Sequence, residues 1–300
     1  TLEDGKRYVA AENGVAEAAG ELGADTPYLE YSGGALTVHG AFQVDGTMVA
    51  VNADLTITGG AGSSLKVNAP TDKNAVELDG SALTLAGGVD VNFTSGSCRA
   101  MDNVSRDRSG CSFNTTNDYS GNIVVRGGGS VAVNYVRLNV QNSSSITFTS
   151  AIFNSDEPVA LNSNGDINIS AIYFTGLFDA YPDHPMSAKI KGANVEIAAD
   201  RSYPAVFTGK SLDIEATGDV TISSDIPIGG YPTENPGGLT VKNAKNVSIT
   251  GRSTNGNPFF PIPVTFENCG NITVTDNGDG KFMAEDVTVT SDKPWTATTG

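Results

Sequence analysis

The chain has 300 residues, 34 of them acidic against 18 basic, for a formal net charge of -16. A charge of this sign repels phosphate backbones and anionic bilayers, which argues against nucleic acid as a partner. Gly is abundant at 35 residues while charged residues make up only 17%, a mix that suits short strands and tight turns better than long helices.

Residues 1–32 stand apart as an N-terminal cap. Val9 to Leu22 (VAAENGVAEAAGEL) is the only stretch of helical composition, with Val15, Ala18, Ala19 and Leu22 spaced to share a face. It predicts one short helix over the first coil, since an uncovered stack of strands invites edge-to-edge association.

From Leu36 onward the chain reads as strands, among them Leu36-Thr37-Val38, Leu55-Thr56-Ile57 and Leu83-Thr84-Leu85. Apolar residues two apart, with polar ones between, turn one face inward and one outward. A unit with fixed internal spacing then emerges. Leu212-Asp213-Ile214 precedes Asp219-Val220-Thr221-Ile222, Leu239-Thr240-Val241 precedes Asn246-Val247-Ser248-Ile249, and Val264-Thr265-Phe266 precedes Asn271-Ile272-Thr273-Val274. Within each unit the second run starts eight positions after the first (212 to 220, 239 to 247, 264 to 272). Val159 with Ile167 extends the register upstream. This predicts an all-β solenoid of about ten coils over 33–300. Asp166, Asn194, Asp219, Asn246 and Asn271 each precede the second strand of a unit. Stacked at one level, such side chains bond along the solenoid axis, so the position reads as structural.

Cys98 and Cys111 flank a polar, aperiodic segment (RAMDNVSRDRSG). They are expected to close a loop by a disulfide, which implies an oxidising compartment. That loop carries Arg99, Asp102, Arg106, Asp107 and Arg108. Cys269, inside a repeat, reads as a small buried residue. No run of 18 apolar residues occurs, so no membrane span is expected.

The segments between units carry the functional signal. Residues 174–186 (FTGLFDAYPDHPM), 200–204 (DRSYP), 225–236 (DIPIGGYPTENP) and 252–263 (RSTNGNPFFPIP) each follow the second strand of one unit and precede the first of the next. They should lie over one side, with Pro beside Tyr181, Tyr203, Tyr231, Phe259 and Phe260. Asp179, Asp200 and Glu234 supply polar groups. Either these rings fold down over the core edge, or they form a strip about 5 Å apart per coil that holds sugar rings. The candidate ligand set is therefore Tyr181, Tyr203, Tyr231, Phe259, Phe260, Asp179, Asp200 and Glu234.

Catalytic signals are sparse. His184 beside Asp183 could be an oriented base, and Arg106 is the third weak candidate. Asp276-Asn277-Gly278-Asp279-Gly280 resembles a calcium loop until Gly278 falls where an oxygen ligand is required. It reads as a turn, with Asp276 and Asp279 as weak ligands. No cofactor is implied, and calcium alone is left open.

The repeat, the Asx position and the segment before the first coil together resemble the right-handed parallel β-helix of the pectin-lyase-like superfamily and of bacterial surface adhesins, over roughly residues 33–292. The resemblance is at the level of fold. It implies a secreted or cell-surface protein that acts on or binds polysaccharide. The paired aspartates, Gly-His-Gly and Arg-Ile-Lys of polygalacturonase-type hydrolases are missing, as is the Trp-Ile-Asp-His of pectate lyases. The expectation is therefore non-catalytic adhesion to a polysaccharide, a host glycan or another surface protein. The alternatives are a lyase or hydrolase of unfamiliar type, and a structural spacer or filament subunit.

Overall fold

The computed structural model describes residues 1–12, 14–51, 53–96, 99–105, 110–128, 132–149, 153–154, 159–171, 178–179, 187–199, 211–224, 238–252, 260, 262–278, 287–290 and 295–299. Every helix-or-strand element among them is a strand, and the strands stack into a parallel β-solenoid. Each turn visits a first sheet, then a second. The earlier turns also visit a third before returning. The first sheet holds 14 strands, the second 11 and the third six. These ladders replace the coil count suggested by the repeat alone.

The register follows the sequence spacing. In the first sheet Leu212 stands beside Leu239, which stands beside Val264, and Ile214 beside Val241 beside Phe266. In the second, Val220, Val247 and Ile272 align, as do Ile222, Ile249 and Val274. All of these residues are buried, most of them completely. The period of two thus becomes continuous apolar rows along the axis, while Thr, Ser, Asp and Lys between them face out.

The N-terminal segment departs from expectation. No helix forms among the described residues. Instead β1 (Lys6–Ala11) and β2 (Gly14–Glu17) make an antiparallel pair, and β1 also pairs with β3 (Tyr28–Ser32). Strand β3 in turn pairs antiparallel with β4 (Ala35–His39), the first strand of the solenoid. The physical reason is the open edge of β4. A strand satisfies its row of N–H and C=O groups, which a helix laid across it cannot do. The candidate helix is also short and broken at Gly14, whose φ of 143° belongs to neither helix nor ordinary turn. The cap exists, but as a sheet.

The corner between first and second sheets is short and closely stacked. Asn142, Asn243 and Asn268 adopt left-handed backbone there, with φ of 59°, 60° and 52°. A Cβ on Gly270 would run into the Lys245 carbonyl of the turn below, so that position requires glycine.

Candidate functional site

The two kinds of corner differ in what they can do. Along the short corner the Asx residues form one hydrogen-bonded line. Asn194 donates from Nδ2 to Asp166 Oδ1 at 2.8 Å, and the Asp219 backbone N–H donates to Asn194 Oδ1 at 2.8 Å. Asn246 Nδ2 donates to Asp219 Oδ1 at 2.7 Å, and Asn271 Nδ2 to Asn246 Oδ1 at 2.8 Å. These groups are bonded to one another along the axis, as the sequence suggested.

On the opposite side the chain passes from the second sheet back to the first. Its earlier turns carry the third sheet, whose register aligns Val49, Glu77, Asp102, Asn134, Asn154 and Asp179 in one row. Asp102 is the hub of a cross-turn clasp. Its Oδ2 accepts from Arg99 Nη1 at 2.9 Å and Asn74 Nδ2 at 3.2 Å, and its Oδ1 accepts from Asn134 Nδ2 at 2.7 Å. Asn74 also donates to Glu77 Oε1 at 3.1 Å. Asp102 is only 6% exposed, and both oxygens are engaged. This geometry links three consecutive turns and does not present a free base.

Sequence reasoning singled out Arg99 and Asp102 but missed Asn74, Glu77 and Asn134 as their partners. The signal was there. Glu77, Asp102 and Asn134 are one turn apart each, yet the third sheet's strands of two to four residues are too short to show a period.

The sequence-derived site residues fall as follows. Asp179 lies in the third-sheet row, in register with Asn154. Phe260 is fully buried and belongs to the core. A ring without exposed surface cannot stack on a sugar, so it leaves the ligand set. Tyr181, Tyr203, Tyr231, Phe259, Asp183, His184, Asp200, Glu234, Arg106, Cys98 and Asp279 lie outside the described residues. Asp276 is buried, and its Oδ1 accepts from the Gly278 backbone N–H at 2.8 Å. That bond closes the turn after its strand.

The disulfide is also corrected. Cys111 is a free thiol buried in the core just before strand Ser112–Thr115, and no disulfide is seen among the described residues. Its burial is that of a small apolar residue. Cys269 is free and buried too, with Sγ 3.4 Å from the Val241 carbonyl. Burial pushes its thiol pKa up. The Tyr119 phenol is raised as well, chiefly by burial and secondarily by nearby Asp90. Its hydroxyl donates to the Val89 carbonyl at 3.0 Å. Both are structural positions.

Among the described residues no helix is long and apolar enough to cross a membrane. Comparison of the chain with family models, curated proteins and solved structures gave no match.

Proposed function

We propose that this β-helix works at the cell surface or in secreted form, and that it binds polysaccharide or host glycan along its third-sheet side without turning it over. The observation that supports this is the register of the strands anchoring the four aromatic-bearing segments. At the second-sheet ends Ser170, Ala198, Ser223 and Thr250 align turn by turn. At the first-sheet starts Ser187 aligns with Ser211, and Leu212, Leu239 and Val264 align in turn. Successive anchors are therefore one strand spacing apart, about 4.8 Å. The segments between these anchors leave and re-enter the sheets at stacked points. Tyr181, Tyr203, Tyr231 and Phe259 belong to them, one per turn. Rings in that arrangement suit the C–H faces of successive sugars, and Asp179, Asp200 and Glu234 suit the hydroxyls.

The test is a broad glycan array probed with the purified chain, with and without calcium. Specific retention that Tyr181→Ala, Tyr203→Ala and Tyr231→Ala together abolish, in a variant that unfolds like the parent, supports the reading. Absence of retention on every glycan overturns it. Release of new reducing or unsaturated ends would instead make the protein an enzyme.

A further inference from the structure

The N-terminal cap leaves a cavity. Strands β1 and β2 lean back against β5 (Ala41–Asp45), the outermost strand of the second sheet, while β3 covers the first. Among the described residues no strand covers β6 (Met48–Val51), the outermost strand of the third sheet. Between cap and first coil lies a space of about 600 Å³. The space is a cleft open to solvent on one side, and its volume falls among small-molecule pockets of roughly 300–1,000 Å³.

The distribution of incompletely buried apolar residues points to the same place. Among the described residues, ten hydrophobic ones pack against the core while staying partly accessible. Six of them line this cavity: Leu2, Val15, Tyr31, Val44, Met48 and Leu55. Deeper in the solenoid the equivalent rows are closed. Val49, beside the opening, is 53% exposed. Two of the side-chain polar groups at the wall are already engaged. Thr47 Oγ1 donates to the Asn74 carbonyl at 2.8 Å, and Asp54 Oδ1 accepts from the Ala82 N–H at 2.8 Å. We propose that this cavity is a binding site for a neutral, apolar small molecule, held by shape and desolvation. The site is at the end of the solenoid and does not depend on the glycan reading.

Methionine methyl groups supply the test. The intact chain, labelled with ¹³C at the methionine methyls, is titrated with perdeuterated 1-decanol, and Met48→Leu assigns the Met48 signal. Met48 lines the cavity, and Met101 lies two strands further along the same third-sheet row through Val76. The expected result is a saturable shift of Met48 with Met101 unmoved, and an apparent Kd raised at least about tenfold by Ala50→Phe or Val15→Phe, both of which narrow the space. Ala50 is buried and Val15 is partly exposed, so the second variant serves if the first does not fold. Met48 unmoved up to the solubility limit overturns the proposal. So do parallel shifts of Met48 and Met101, affinity unchanged by the filling variants, or a Met48 shift that follows protein dilution without decanol, which would mean a second copy covers the face.

Discussion

The Asx line along the short corner makes a directional prediction that can be worked from its geometry. Asn246 is both donor and acceptor in it: Nδ2 to Asp219 Oδ1 at 2.7 Å, and Oδ1 from Asn271 Nδ2 at 2.8 Å. Asn246→Asp keeps the acceptor and removes the donor. The lost bond is worth about 1 kcal/mol at an accessible site. The new carboxylate also faces that of Asp219 at close range, a repulsion of about 1 kcal/mol in fully water-like surroundings. The sum is a destabilisation of about 2 kcal/mol. Asp219→Asn keeps an acceptor oxygen for Asn246 and removes a charge, so it should change stability by less than about 0.5 kcal/mol. Urea melts of both variants and the parent give the comparison, with equal m-values required. The pH dependence sharpens it. A like charge raises the folded-state pKa of the introduced carboxyl above its unfolded value of about 4. The Asn246→Asp penalty is then fully present above the raised value and vanishes below the unfolded one. An Asn246→Asp variant as stable as the parent at neutral pH, or a penalty independent of pH, would refute the ladder as a set of oriented bonds.

Three other outcomes follow from the same structure. Gly270→Ala should cost at least about 3 kcal/mol, because its Cβ meets backbone that cannot rotate away; the same urea melts check it. Asp102→Ala should cost about 2 kcal/mol by stranding Asn134 and Arg99, partly offset because Arg99 is 44% exposed and water can serve it; unfolding midpoints with glycan retention unchanged would place Asp102 in the frame alone. In a Cys98→Ser background, Cys111 and Cys269 should resist thiol reagent until the chain unfolds. With the folded pKa values of Cys269 and Tyr119 raised, stability should be full below about pH 9 and decline above it, a decline that Cys269→Ala reduces in alkaline melts.

What the sequence made legible is what recurs. Leu212, Leu239 and Val264 announce their stacking because the same alternation returns at the same offset, and Asp219, Asn246 and Asn271 announce theirs because a turn that must repeat selects the same residue. The parallel solenoid and its axial bonds were readable from this alone. The cap was not, because an edge strand's unpaired groups are a property of the assembled fold. Local composition around Val15 favoured a helix, and pairing along β4 outweighed it. Phe260 was misplaced for a related reason. Beside Pro in a long segment it reads like its neighbour Phe259, and only the closed core shows where its ring goes. The Asp102 clasp escaped because its partners come from three turns whose strands are too brief to carry a period.

These contrasts bear on where function can reside in a solenoid. The short corner is over-determined: left-handed Asn243 and Asn268, the glycine at 270 and the Asx line all constrain one narrow layer, and a change in any turn disturbs its neighbours. The third-sheet side carries no such repeat requirement. Its returns differ in length from turn to turn, for example 11 residues between Ala199 and Ser211 but 15 between Ala171 and Ser187, yet their anchors stay in register. Length can vary there because loop closure costs little per added residue, while the rows beneath keep the ends fixed. Recognition built on that side inherits a rigid spacing of about 4.8 Å from the sheets and freedom of chemistry from the loops, which is the combination a repeating ligand such as a polysaccharide requires.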